Sequence, residues 1–170
     1  YQLTKNEDYL TVISQILEWL KDEMIDENGG FYSSMDADSE GVEGKYYVWK
    51  PEEIEAVLSE TDAKIFNQYY DISKTGNWEG NSIPNIIMKK SSLSTLLKIP
   101  ESEISSSLEK SRLAIKEYRK SRIAPGTDDK IIVSWNGLMI SSLAKVSAFL
   151  GDKEYFEIAD RAVSFIVDKM

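Results

Sequence analysis

Two stretches of this chain carry the same amphipathic pattern at a constant offset. Asn6-Glu-Asp-Tyr-Leu10 matches Asp152-Lys-Glu-Tyr-Phe156 in character, and Trp19-Leu-Lys-Asp-Glu-Met24 matches Phe165-Ile-Val-Asp-Lys-Met170. Between the ends of the first, Tyr9, Val12, Ile13, Ile16, Leu17, Leu20 and Met24 recur at the spacing of one helix face. Cap, tyrosine, apolar stripe and terminal methionine therefore align in both. Equivalent helices of a repeated helical-hairpin array look like this, although unrelated amphipathic helices share such periodicity. An array of this kind closes into a ring whose inner helices line a pit, or stacks as an open solenoid. The fold class expected is mainly α: helical hairpins forming part of an α/α toroid.

The remaining helices follow from their start and stop signals. Asn6 caps a helix over 7–24, and Asn28-Gly29-Gly30 lies past its end. Pro51 opens a short helix at its first position. Others are expected over 62–70, 91–97 and 101–120, the last with Ile104, Leu108, Ile115 and Tyr118 on one side. Ser134 caps a helix through Leu150 that carries Gly137, Ser141, Ser142, Ala144, Ser147 and Ala148. So many small residues suit an inner helix packed closely on its neighbours. Gly151-Asp152 turns the chain into a last helix from Lys153 to at least Asp168.

Residues 29–49 have another texture. Phe31–Met35 and Lys45–Trp49 are short and aromatic-rich, and they flank the acidic stretch Asp36-Ala-Asp-Ser-Glu-Gly-Val-Glu-Gly44. Two strand-like runs around such a loop predict an inserted β-hairpin. Asp36, Asp38, Glu40 and Gly41 fit the first half of an EF-hand loop, but the position that needs a bidentate carboxylate falls on Tyr47. An EF-hand is excluded; a looser calcium site on this loop stays open as an alternative, and no metal ligand is assigned. Asp36 and Asp38 either project from the hairpin tip toward a ligand or bond their own backbone in a solvated turn. The Gly76–Asn81 loop lacks the lysine and the strand-to-helix context of a phosphate cradle. Trp78 reads as its anchor, and no cofactor motif is found.

Composition removes several function classes. The chain has 170 residues, 20 basic and 29 acidic, for a net charge of −9. That balance disfavours nucleic acid and anionic membranes, which need a basic face. The basic run from Lys110 to Arg122 reads as a solvated helix face with cations near a C-terminus. Cysteine and histidine are both absent, which excludes thiolate chemistry, Ser-His triads and histidine-ligated zinc within the chain. The lack of cysteine fits a reducing compartment, and a cytoplasmic location is expected. A single domain over 1–170 is expected. Tyr1 is not an initiator methionine and the last apolar run reaches Met170, so the chain reads as part of a longer one.

The densest chemistry lies in Arg122-Ile-Ala-Pro-Gly-Thr-Asp-Asp-Lys130 and the following Ser134-Trp-Asn136. Adjacent carboxylates, Asp128 and Asp129, can divide general acid and base work when their environments separate their pKa values. Lys130 can lower a neighbouring carboxyl or bind a substrate oxygen. Trp135 offers a flat face to a sugar ring, and Asn136 can bond hydroxyls as donor and acceptor. Arg122 is a further substrate contact. The structural alternative stands beside this: the aspartates cap a helix, Arg122 pairs with Asp129, and Trp135 is core.

Several of these segments occur together in one known family. Gly29-Gly-Phe-Tyr-Ser33, Asp36-Ala-Asp-Ser-Glu-Gly41, Glu43-Gly-Lys-Tyr-Tyr-Val-Trp49, Gly76-Asn-Trp-Glu-Gly80, Asp128-Asp-Lys130 and Trp135-Asn-Gly-Leu-Met-Ile140 follow one another in order. The chain resembles the spermatogenesis-associated, thioredoxin-domain-containing proteins and their bacterial and archaeal relatives. The resemblance implies a thioredoxin-like domain followed by an α/α toroid similar to those of N-acylglucosamine 2-epimerases and six-hairpin glycosidases. This chain would match the middle of that toroid. It lacks the family's histidine-containing motif, and it has Lys50 where relatives tend to cap with Ser or Thr.

The resemblance implies a toroid that binds or transforms a carbohydrate-like small molecule by isomerase, epimerase or hydrolase chemistry. Fold analogy alone does not establish an activity. The alternative is a non-catalytic scaffold, favoured by an exposed aromatic patch of Tyr46, Trp49 and Trp78. In either case the chain by itself is expected to be inactive and to self-associate through open helical edges. Its expected partners are the rest of the toroid and the thioredoxin-like domain.

Overall fold

The computed structural model describes residues 1–170. Helices dominate: α1 (Asp8–Trp19), α2 (Pro51–Val57), α3 (Glu60–Tyr69), α4 (Lys90–Leu97), α5 (Glu101–Arg119), α6 (Val133–Leu150) and α7 (Lys153–Lys169). Four two-residue strands complete it: β1 (Ser34–Met35), β2 (Asp38–Ser39), β3 (Val42–Glu43) and β4 (Thr127–Asp128). The chain forms two compact units. One contains residues 1–36 and 127–170, the other 37–126. No helix is long and apolar enough to cross a membrane.

In the first unit, α1 starts one residue later than expected: Glu7 is its N-cap and makes no side-chain cap bond, while Asn6 Oδ1 accepts from the Asp8 amide at 2.9 Å. The helix widens into a π-helical turn over Leu20–Met24. A single five-residue turn is too short for apolar spacing to tell a π turn from an α turn. Leu17, Leu20, Met24, Phe31, Leu143, Tyr155, Ala159 and Ala162 form the buried core. Asp152 caps α7 by accepting from the Glu154 amide, as its sequence signature requires. Outside this core, α1 leaves Tyr9, Val12, Ile16 and Trp19 exposed, and α7 leaves Phe156, Val163 and Val167 exposed, with Met170 just past its end. Only Asn136 and Leu143 of α6 are buried. Within this chain, the small-residue face of α6 is therefore not packed on all sides.

In the second unit, two neighbouring clusters build the core. Trp49, Ile54, Ala63, Phe66, Ile72 and Ile115 form one. Ile65, Tyr69, Leu93, Ile104 and Leu108 form the other. Lysine has no acceptor, so Lys50 cannot cap α2 with its side chain. Instead Glu53, one turn on, accepts from the Lys50 amide at 2.8 Å. Gly76 sits at φ +69°, where a Cβ would land on the backbone of Asn81. That close approach lets Trp78 and Asn81 pair in a one-residue bridge.

The inserted hairpin is shorter and differently paired than the two aromatic runs suggest. Asp38–Ser39 pairs with Val42–Glu43, across Glu40 (φ +55°) and Gly41 (φ +73°). Two successive positive φ angles make the turn that matches strand twist. Ser34–Met35 pairs instead with Thr127–Asp128, and Trp49 bridges to Ser82. The first aromatic run is largely extended, whereas Lys45–Tyr47 form a turn, and the two runs are not each other's partners.

Asp62 ties α3 to α5. It accepts from Ser107 Oγ at 2.6 Å, from Ser59 Oγ at 2.8 Å and from Lys110 Nζ at 3.3 Å. The Ser107 hydroxyl, then Ser59 and Lys110, hold its carboxyl below the usual range. A carboxyl with a depressed folded pKa contributes stability that is full above its unfolded pKa and is lost as pH falls through the folded one. Asp62→Asn should therefore narrow the stability difference between neutral and acid pH, the change falling below about pH 4. Urea denaturation from neutral pH into acid checks this; parallel curves for variant and parent would refute it.

Candidate functional site

The sequence cluster around residue 128 is built on the β1–β4 pair and the start of α6. Asp128 lies opposite Ser34 in that ladder. Its carbonyl accepts from the Ser33 amide at 3.2 Å and from Ser33 Oγ at 3.1 Å. These bonds fix the backbone from which the acidic side chains project. Asp128 Oδ2 meets Lys130 Nζ at 2.9 Å, and its Oδ1 accepts from the Lys130 amide at 3.3 Å. The hydrogen bond from Lys130 holds the Asp128 carboxyl below the usual carboxylate range and raises the lysine in turn. At neutral pH Asp128 is thus a carboxylate, able to accept hydrogen bonds and unsuited to donating a proton. Asp129, beside it, is exposed. Trp135 is exposed as well, at 54%.

Asn136 behaves differently from its neighbours. It is 1% exposed. Its Oδ1 accepts from the Phe31 amide at 2.7 Å, and its Nδ2 donates to the Phe31 carbonyl at 2.9 Å and to the Ile132 carbonyl at 3.1 Å. The expectation that it contacts substrate is corrected: the amide is spent on the backbone, which fixes α6 to the Phe31 turn. Trp135 and Asn136 are adjacent, so helix geometry turns one outward when the other points in.

Arg122 is likewise committed, and it lies in the second unit. Its Nη1 donates to the carbonyls of Tyr46 at 3.0 Å and Val48 at 2.8 Å, and its Nη2 meets Glu53 Oε1 at 2.9 Å. The guanidinium lies 3.7 Å from the centre of the Trp49 ring. Its partner is Glu53 rather than Asp129, and its bonds to the two carbonyls hold the 46–48 segment. Asp38 stands in β2 opposite Glu43, while Asp36 follows β1. Glu40 pairs with Lys45 at 2.6 Å. No group of three acidic side chains converges as a metal site would require.

One residue went unnoticed in the sequence. Tyr32 directs its hydroxyl at Asp26 Oδ2, 3.4 Å away, and burial first, then the charges of Asp26 and Asp129, raise its pKa. Its hydroxyl therefore keeps its proton and remains a donor. The only signal was its place beside the Gly-Gly-Phe turn.

No family model matches this chain. Individual proteins do. It is 28% identical to human spermatogenesis-associated protein 20 over 98% of its own length, and 28% identical to the mouse protein over the same share. An uncharacterized Caenorhabditis elegans protein is 28% identical over 95% of this chain. The chain is similar to spermatogenesis-associated protein 20. It spans about a quarter of the length of these curated relatives, 24% of the human and mouse spermatogenesis-associated protein 20.

Proposed function

We propose that this chain supplies a polyol-binding ledge to a larger α/α toroid, and that the ligand is carbohydrate-like. The observation that carries the reading is the exposed indole of Trp135 on the same short segment as the Asp128–Lys130 ion pair and the exposed Asp129. A sugar ring presents C–H groups on one face and hydroxyls around its edge. Trp135 suits the face, and two carboxylates with an ammonium suit the edge. Asn136 positions the ledge from behind. Asp128, held as a carboxylate by Lys130, serves as hydrogen-bond acceptor or base, which leaves any acid role to Asp129 or to a residue outside this chain. Isomerase, epimerase or hydrolase chemistry is the reaction class in view.

The apolar stripes left open on α1 and α7 support the toroid part of the proposal, because further helices would bury them. They also favour a second reading, a non-catalytic scaffold in which those faces take another protein. The aromatic patch expected for a scaffold does not form: Tyr46 and Trp49 are buried.

A thermal-shift screen of the parent-length protein against sugars and sugar phosphates separates the two. A ligand that binds only the folded state raises the melting temperature. A saturable rise with one sugar class, lost in both Asp129→Asn and Trp135→Ala, is expected. Unchanged melting with every sugar would favour the scaffold.

A further inference from the structure

The second unit holds a cleft of about 580 Å³. That volume lies within the range of small-ligand sites, roughly 300–1,000 Å³. Four separated stretches surround it: the β2–β3 hairpin, the segment leading to α2, the loop at Trp78 and the C-terminal end of α5. Its apolar lining includes Val42, Trp78, Tyr118 and Ile123. Val42, Tyr118 and Ile123 are exposed large hydrophobic residues, and Trp78 is half-buried. The Trp78 ring is backed by Gly44, where an added Cβ would come within 3.1 Å of the indole. The indole is thereby held in place as a wall.

Most charges around the cleft are already used. Arg122 is paired with Glu53, and Lys45 with Glu40. The Glu43 and Glu79 side chains are exposed and line the cleft without an ion-pair partner, with only the Lys50 ammonium as an uncommitted cation. An aromatic wall attracts a cation through its ring quadrupole, tryptophan most strongly. Free carboxylates attract the same charge and repel an anion.

We propose that this cleft binds a small organic cation: an ammonium or guanidinium group carried on an aromatic or similarly apolar body. The body lies against Trp78 and Tyr118, and the cationic end faces Glu43 and Glu79. The site is separate from the ledge around Asp129, so either proposal can fail without the other.

A charge series of one shape tests it. The full chain is titrated with benzylammonium, benzyl alcohol and benzoate, reading the indole Nε1–H resonance of Trp78, assigned through Trp78→Phe. Benzylammonium should shift that resonance saturably. Benzyl alcohol should bind about tenfold more weakly, benzoate should not bind, and added salt should weaken benzylammonium alone. Glu43→Gln combined with Glu79→Gln should weaken benzylammonium by about tenfold and leave benzyl alcohol unchanged. Equal binding of all three compounds, no saturable shift with benzylammonium, or indifference to the double substitution would each overturn the proposal. The charge series in the unsubstituted chain decides the matter even if the double variant misfolds.

Discussion

Asn136→Ala should lower the unfolding free energy of the first unit by about 3 kcal/mol. The reason lies in the Ile25–Phe31 bridge. There the Asp26 amide donates to the Gly30 carbonyl and the Tyr32 amide to the Met24 carbonyl. Those bonds flank the Ile25–Phe31 pair, so the amide and carbonyl of Phe31 point away from Ile25. Asn136 meets both with one side-chain amide, much as a neighbouring strand would. Alanine leaves a buried donor and a buried acceptor without partners, each costing roughly 1–3 kcal/mol, and water admitted to the gap recovers part. Asn136→Asp sharpens the test. A carboxylate can accept from the Phe31 amide but would oppose the Phe31 carbonyl, whereas the protonated acid can donate to it. Its folded pKa should therefore be raised, so this variant should regain stability on acidification, while alanine shows no such recovery. Hydrogen exchange at the Phe31 amide reads both effects. Unchanged protection in Asn136→Ala would show that the bonds contribute nothing.

The same residue marks the limit of what could be read from the sequence. Helices announced themselves because their signals are local: Pro51 at the start of α2, Asp152 before α7 and Gly151 after α6 each act through neighbouring backbone. Strand partners did not, since a short extended run records that it is extended and not what it pairs with. Phe31–Met35 and Lys45–Trp49 looked like mates, yet β1 pairs with β4, far along the chain, and residues 45–47 form a turn. The candidate site divided for a related reason. Asn136 and Arg122 carry the groups a ligand site uses, and those groups satisfy buried backbone just as well. Asp128, Asp129, Lys130 and Trp135 remain outward because the chain runs irregularly from β4 to α6 and α6 presents its first residues beyond the core. The cleft near Trp78 was hidden because it assembles from four segments, none of which has a signature alone.

Arg122→Lys should destabilise the second unit nearly as much as Arg122→Ala, about 2–3 kcal/mol in each case. Charge is the smaller part of what Arg122 contributes. Its side chain is 16% exposed and Glu53 is 38% exposed, so solvent screens their attraction and the ion pair counts for less than a buried one would. The larger part is geometric. One planar group reaches the Tyr46 and Val48 carbonyls and Glu53 while its face rests on Trp49. An ammonium is a point charge with no flat face, and it cannot occupy those directions together. Lysine would keep one contact, leaving the others unpaired. Near-UV circular dichroism should show the Trp49 band weakened in both variants, and urea melts should place them close together. If lysine instead restores most of the lost stability, the charge pair with Glu53 is what matters and the planar fit to backbone and indole is incidental.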